Sequence, residues 1–248
     1  MLDAVSWTQL AAEREALVRG VYASATAALE QVSSEPGGDD PRPPAVVLDV
    51  DETVLDNTPF EAALVKSGAP FERALWNRWV EAARAEPLPG ALDFLAACRE
   101  RGVAAFFVTN RRARQEAATR RNLERLGIAV LDDPDGLLMR EEKPEWGRDK
   151  ASRRAQVART HRILMLIGDD LGDFLPGVAD TGVDRRQRHE LVVRHAELWG
   201  RRWFVMPNPL YGSWKGALWR FADGLSAEDR LRAQLDALEA DTGEPGAD

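Results

Sequence analysis

Four short apolar runs, each ending in a cluster of polar residues, constrain the fold of this chain more than any other feature. The runs are AVVLDVDET from Ala45, VAAFFVTN from Val103, ILMLIGDD from Ile163 and WFVMPN from Trp203. Their apolar residues are consecutive, which is typical of strands buried on both faces, as in a parallel sheet. Helical patterns such as GALDFLAACRERG and RQEAATRRNLERLG lie between them, and each ends at a glycine. The sequence therefore predicts an α/β fold built on a doubly wound parallel sheet.

Other segments fall outside this alternation of strands and helices. The pattern from Trp7 to about Gln31 is helical, and the breaker stretch from Glu35 to Pro44 predicts a linker. The segment from Pro59 to Pro87 carries aromatic residues among helix formers and predicts a small helical cap over the ligand site. We therefore expect three parts, namely an N-terminal helix and linker over 1–44 packed on the core, a core over 45–222 with a cap insert at about 57–87, and a C-terminal helix and tail over 223–248.

The composition of the chain argues against nucleic acid as a partner. The formal net charge is -8 and the isoelectric point is about 5.1, so the basic footprint of a nucleic-acid-binding protein is missing. An anionic substrate would then need a local positive site, which a bound cation supplies. No apolar run reaches the length of a membrane span, and the first residues show no signal peptide or lipid-anchor motif. We expect a cytoplasmic protein, or one of the cell envelope if the N-terminus was trimmed.

Two aspartates follow the first apolar run. Asp49 and Asp51 lie on the same side of an extended backbone, so one could attack phosphorus while the other transfers protons. A calcium loop of the EF-hand type starting at Asp49 would need glycine and glutamate where Val54 and Phe60 stand, so that interpretation fails. The pair therefore predicts a catalytic site.

The third run ends in a cluster of carboxylates. Asp169, Asp170 and Asp173 would repel one another and raise each other's pKa unless a cation lay among them. Oxygen-only ligands favour a hard cation such as Mg²⁺, which typically takes one or two carboxylates with substrate phosphate and water. A solvated acidic turn is the alternative, and the first motif favours the metal site over it.

Phosphate-binding groups are less distinct in the sequence. Thr109 and Asn110 end the second run, where a hydroxyl and backbone amides can bind phosphate oxygens, although Thr-Asn is also common in turns. Lys150 precedes a basic helical stretch and could neutralise both phosphate and nucleophile. Lys143 competes for this role, and the residues alone do not decide between them.

Together these motifs resemble the haloacid dehalogenase (HAD) superfamily, over about Ala45 to Asn208. DVDET matches its first motif, VTN its second, Lys150 its third and GDDLGD its fourth. The wider frame VLDVDETVLDNTPF, PGALDFL, FFVTNR, IGDDLGDF and PNPLYGSW looks like the class C acid phosphatases, the bacterial lipoprotein nucleotidase group. The resemblance implies a HAD-like, Rossmann-like sheet with a small helical cap and an N-terminal helical extension. It also implies hydrolysis of small phosphate monoesters, nucleoside monophosphates among them.

The resemblance implies a role for each matched residue. Asp49 would be the nucleophile that forms an aspartyl-phosphate, and Asp51 would be first the general acid and then the base. Thr109 and Lys150 would hold the phosphoryl group, with Asn110 beside them. Lys150 is preferred to Lys143 because the family places its lysine just before an arginine-containing helix. Magnesium would be bound by Asp49, the backbone carbonyl of Asp51 and Asp169, with Asp173 in support.

Three aromatic residues fall where the family places aromatics near the substrate, namely Phe60, Trp79 and Tyr211. Stacking on a nucleobase contributes about 1–3 kcal/mol per base, but core packing is an equal alternative for each ring. The resemblance also hints at a homodimer through the tryptophan-rich C-terminal part. Two other functions stay open, namely a phosphoprotein phosphatase of the same superfamily and a non-catalytic storage or binding relative. Asp49 and the other expected groups count against the second of these.

Overall fold

A computed structural model of the protein describes residues 1–34 and 40–240. Part of the predicted linker, over 35–39, and the predicted tail from Thr242 lie outside the described residues. The described strands are β1 (Pro44–Leu48), β2 (Leu55–Asp56), β3 (Glu86–Pro87), β4 (Ala104–Arg112), β5 (Leu137–Arg140), β6 (Arg162–Gly168) and β7 (Trp203–Val205). The described α-helices are α1 (Leu2–Leu10), α2 (Ala12–Ser34), α3 (Thr58–Ser67), α4 (Arg73–Glu81), α5 (Ala91–Glu100), α6 (Glu116–Arg125), α7 (Ala151–Thr160), α8 (Arg185–Arg194), α9 (Ser213–Ala217) and α10 (Ala227–Asp236).

The main sheet confirms the predicted fold class. Its five described strands are parallel and lie in the order β5-β4-β1-β6-β7, so β1 is central. All four predicted runs are strands of this sheet. The fifth, β5, is missing from the prediction because Leu137–Met139 is a very short apolar run.

Both faces of the sheet are covered at its central strand β1, which explains why this strand is apolar on consecutive residues. In β1, Val46 and Leu48 pack into one core cluster with residues of α2, α5 and α6. Ala45 and Val47 pack into a second cluster with residues of α7 and of the segment that follows β6. Neighbouring residues of a strand point to opposite faces, so a strand covered on both sides needs an unbroken apolar sequence.

The N-terminal helical part and the cap contact this core. α2 contributes Val18, Tyr22 and Leu29 to the larger cluster, and the Tyr22 hydroxyl donates to the Thr53 carbonyl oxygen at 2.6 Å. The predicted single helix from Trp7 is divided into α1 and α2, because Ala11 adopts extended backbone with φ -78° and ψ 129°. The cap consists of α3 and α4, enclosed by the antiparallel pair β2 and β3. The exact domain limits stay a prediction.

Two further observations complete the fold. Within residues 1–34 and 40–240, no helix combines the length and the hydropathy needed to span a bilayer. The predicted C-terminal helix corresponds to α10, which begins at Ala227 and ends at Asp236.

Candidate active site

A buried lysine joins two carboxylates at the carboxyl edge of the sheet. Asp49 directly follows β1, and its backbone N–H donates to the Ile167 carbonyl oxygen of β6 at 2.9 Å. Lys150 precedes α7, and Asp173 ends a 3-10 helix after β6. Lys150 Nζ lies 2.5 Å from Asp49 Oδ1 and 2.5 Å from Asp173 Oδ1. The structure therefore brings together three residues that are 124 positions apart at their extremes, from Asp49 to Asp173.

Burial and charge shift the pKa values of these groups. Burial, reinforced by Asp49 and Asp173, raises the pKa of Asp169 well above its usual range. Burial also raises the pKa of Asp173 to about 7, although Lys150 acts in the opposite direction. Burial alone would lower the pKa of Lys150, but the adjacent Asp173 and Asp49 outweigh it and the net shift is upward. The carboxylates are thus crowded in a medium that stabilises their charge poorly.

The same carboxylates fit a hard divalent cation. One oxygen from each of Asp49, Asp169 and Asp173 lies within 4.8 Å of the others. With Lys150 protonated and the three carboxylates ionised, two negative charges remain in excess, which matches a divalent ion. Carboxylate oxygens are the donors that hard divalent cations prefer.

Glycine at one position permits this crowding. A Cβ atom added to Gly168, the last residue of β6, would lie 2.2 Å from Asp173 Oδ2 and 2.4 Å from Asp173 Cγ.

Asn208 contacts the carboxylate cluster from the loop after β7, because its Nδ2 donates a hydrogen bond to Asp169 Oδ2 at 2.6 Å. The sequence did not single out Asn208, although it lies in the polar end of the fourth run.

Asp51 is held separately from the three clustered carboxylates. Arg111 donates to Asp51 Oδ1 from Nε at 3.0 Å and from Nη2 at 2.7 Å, and Asn57 Nδ2 donates to the same oxygen at 2.9 Å. The Arg111 side chain is 1% exposed and that of Asp51 is 16% exposed. Trp79, predicted as a pocket residue, donates from Nε1 to Asn57 Oδ1 at 2.7 Å. Sequence reasoning missed Arg111 and Asn57, although Arg111 directly follows the VTN motif.

The predicted phosphate-binding residues lie beside these groups. The Thr109 hydroxyl is buried and accepts a hydrogen bond from the Arg111 backbone N–H at 3.1 Å. Asn110 Oδ1 instead accepts from Arg153 Nη2 at 2.8 Å, so this side chain is engaged by α7. Lys143 lies over the Trp146 ring, with 4.4 Å from Nζ to the ring centroid. Lys150, and not Lys143, therefore contacts Asp49.

The cap aromatics form a cluster that reaches the site through Arg111. Phe60 is buried and packs edge-on against Trp76, with ring centroids 5.2 Å apart. The Arg111 guanidinium lies 5.6 Å from the Trp76 ring centroid. Tyr211 is half-buried in the loop after β7, and its role, like those of Phe60 and Trp79, stays a prediction.

Asp170 does not join the three clustered carboxylates. Its Oδ2 accepts a hydrogen bond from the Ser213 backbone N–H at 2.5 Å, and its Oδ1 accepts from the Ser213 hydroxyl at 2.6 Å. These hydrogen bonds connect the end of β6 with the loop that carries Asn208 and Tyr211.

Known proteins resemble this chain in sequence and in fold. The crystal structure of the class C acid phosphatase from Bacillus anthracis with tungstate bound is 33% identical, covers 96% of each chain and superposes with a TM-score of 0.86. A second structure of that enzyme gives the same identity and coverage, with a TM-score of 0.85. A curated relative, the Stem 28 kDa glycoprotein of Glycine max, is 27% identical over 66% of this chain, which spans 58% of that relative's length.

The family comparison extends over most of the molecule. Residues 2–214 match the family described as HAD superfamily, subfamily IIIB (Acid phosphatase). The match includes the N-terminal helices, the cap and every strand of the main sheet. The chain therefore belongs to the subfamily IIIB acid phosphatases of the HAD superfamily.

Proposed function

We propose that this chain is a magnesium-dependent phosphomonoesterase that acts on small organic phosphates through an aspartyl-phosphate. The contact of Lys150 with both Asp49 and Asp173, next to Asp169, carries this proposal. An ammonium group there lowers the repulsion between an anionic nucleophile and an anionic ester. A bound Mg²⁺, held by Asp49, Asp169, Asp173 and the Asp51 backbone carbonyl, would add further positive charge on the phosphoryl oxygens.

Asp49 supplies the nucleophile in the first step. Lys150 engages its Oδ1, while no described residue donates a hydrogen bond to Oδ2, which is therefore available for attack. Oδ2 forms a bond to phosphorus, the bond from phosphorus to the ester oxygen breaks, and that oxygen takes a proton from the protonated Asp51.

Water completes the cycle. Asp51, now ionised, accepts a proton from a water molecule that attacks the phosphorus of the aspartyl-phosphate. The bond from phosphorus to Asp49 breaks and inorganic phosphate leaves. Arg111 and Asn57 hold the Asp51 carboxylate in one orientation for this proton transfer. Thr109 and Lys150 would bind the non-bridging phosphoryl oxygens.

A small phosphate ester with an aromatic group suits the cap. Phe60 and Trp76 form an aromatic cluster next to Arg111, and Trp79 is tied to Asn57. Such rings offer stacking surfaces for a nucleobase or an aryl group. The relative from Bacillus anthracis binds tungstate, a tetrahedral oxyanion with the shape of phosphate, which supports phosphate as the recognised group here.

The test is phosphate release from nucleoside monophosphates and p-nitrophenyl phosphate, with magnesium and with chelator. Asp49→Asn is expected to lower the rate by on the order of 10³-fold or more, because it removes the nucleophile. Lys150→Met should also lower it strongly, whereas the matched control Lys143→Met, whose lysine lies over Trp146, should not. Equal activity in Asp49→Asn and wild type would contradict the mechanism. Chelator-resistant activity would contradict the metal requirement.

A further inference from the structure

Arg153 is a buried cation to which the proposed mechanism assigns no role. It lies in α7, three positions after Lys150, and its exposed fraction is 0%. Each acceptor that it contacts among the described residues is uncharged, so no carboxylate there neutralises it directly. Burial lowers the pKa of Arg153 to about 10, although the charge of Asp49 acts in the opposite direction. Arginine is seldom fully buried unless its charge is paired, so core packing alone does not explain this side chain.

The Arg153 guanidinium connects two segments that are distant in the sequence. At the end of β4, Nη1 donates to the Thr109 carbonyl oxygen and Nη2 donates to Asn110 Oδ1 at 2.8 Å. In the segment before α7, Nη2 also donates to the carbonyl oxygens of Gly147 at 3.0 Å and Asp149 at 3.3 Å. One side chain therefore fixes the end of β4 to the segment that leads into α7.

The two connected segments carry the two groups proposed to bind the phosphoryl oxygens. Thr109 lies in β4 and is buried, and Lys150 directly follows Asp149. Both side chains must reach oxygens of one phosphoryl group, so their spacing determines how well the site fits it. A displacement of about 1 Å can lower an enzymatic rate by about 10²-fold. A guanidinium suits this task because its donors form a rigid planar fork, whereas an ammonium is a point charge on a flexible stem.

We propose that Arg153 is a positioning residue for phosphoryl transfer, which sets the spacing of Thr109 and Lys150 by holding the segments that carry them. This inference rests on the proposed function, because it assigns Arg153 a task in that reaction. Arg153 acts through the two phosphoryl-binding residues and does not itself contact the substrate. Such positioning improves the fit to the transition state more than the fit to the bound substrate, so its loss should lower kcat more than it raises KM.

The first measurement is kcat and KM of Arg153→Lys with p-nitrophenyl phosphate and Mg²⁺. Lysine keeps the charge but cannot reproduce the planar pattern of donors, so kcat should fall by at least about tenfold while KM changes by less than about threefold. Arg153→Met removes the charge together with these hydrogen bonds, and its kcat should fall by about 100-fold or more. Circular dichroism checks the folded fraction of each variant, and Arg153→Lys decides the outcome if Arg153→Met does not fold.

Arg188→Lys is the matched control. Arg188 is also buried and donates to a backbone carbonyl, from Nη1 to the Val178 oxygen at 2.7 Å, but it lies in α8 and holds neither of the proposed phosphoryl-binding residues. Both lysine variants should unfold at lower urea concentration than the wild type, whereas Arg188→Lys should keep kcat and KM within about twofold. A fall in kcat confined to Arg153→Lys supports positioning. If both variants keep the wild-type kcat, Arg153 has only a packing role and the proposal is overturned.

The same assays separate this inference from the proposed function. If Asp49→Asn is as active as the wild type, the reaction does not use this nucleophile and both proposals are overturned. If Asp49→Asn is inactive while Arg153→Lys keeps the wild-type kcat, the proposed function stands and only the positioning role fails. An increase in KM with unchanged kcat would also overturn the positioning role, because Arg153 would then affect substrate binding alone.

Discussion

The ion pair of Arg111 with Asp51 is expected to couple the two side chains energetically. The perturbation is a double-mutant cycle of Arg111→Met, Asp51→Asn and the double variant. Arg111→Met keeps much of the apolar stem beside Trp76 but removes the guanidinium that contacts Asp51. Asp51→Asn keeps the shape of the side chain and removes its charge.

The expected coupling free energy follows from how deeply the ion pair of Arg111 and Asp51 is buried. Exposed ion pairs contribute about 0–1 kcal/mol, whereas removal of one partner of a fully buried pair costs about 3–5 kcal/mol. Arg111 is 1% exposed and Asp51 is 16% exposed, which places this pair between the two limits. We expect a coupling free energy of about 2 kcal/mol, or about 30-fold in the ratio of folded to unfolded protein. For Arg111→Met alone, the thermal midpoint should fall by about 4–8 °C.

Urea unfolding of the four proteins, followed by circular dichroism in the presence of chelator, measures this coupling without a metal contribution. A coupling below about 0.5 kcal/mol, the usual limit for independent sites, would refute the reasoning. It would mean that Arg111 acts on substrate alone and does not position Asp51. Activity of Arg111→Lys provides a second measurement, because lysine keeps the charge but not the two-nitrogen contact with the carboxylate.

Three other perturbations have expected outcomes. Gly168→Ala should destabilise the protein by about 1–3 kcal/mol in urea unfolding and lower phosphatase activity, because the new Cβ would lie 2.2 Å from Asp173 Oδ2; unchanged stability and activity would contradict the close approach. Mg²⁺ at 100 times its Kd should stabilise the wild type by about 2.7 kcal/mol in thermal unfolding, and this increase should be largely lost in Asp169→Asn; equal increases would exclude Asp169 as a ligand. Burial raises the pKa of Cys98 to about 12, and the residue is 1% exposed, so a thiol reagent at pH 8 should modify it only after denaturation; rapid labelling of native protein would show that α5 opens.

The strands β1, β4 and β6 could be predicted from the sequence because they are covered on both faces and are therefore apolar on consecutive residues. β5 could not, since Leu137–Met139 is too short to stand out and, among the described strands, pairs with β4 alone. The division between α1 and α2 also escapes prediction. Ala11, where the helix breaks, is the residue type with the highest helix propensity, so no local signal marks the break.

In the site too, some residues are marked by a local sequence pattern, whereas others acquire their roles only through contacts between distant segments. Asp49 and Asp169 end apolar strands and are visible in the sequence itself. The contact of Lys150 with Asp49 depends on packing between segments 101 positions apart, and no local pattern distinguishes this lysine from Lys143. Arg111 and Asn208 acquire their roles from their partners across the sheet edge, so only the fold identifies them.

The parallel sheet also determines where the molecule tolerates attachment. All the groups proposed for chemistry lie at the carboxyl edge, so the opposite edge is remote from them. Gly102, in the turn between α5 and β4, has a φ of +64° and no atom within 4 Å of an added Cβ. From Ala104 to Thr109 the strand rises by about 17 Å, at about 3.3 Å per residue. A peptide tag, a fluorophore or a linker to a solid support inserted at Gly102 would therefore leave the substrate entrance unobstructed.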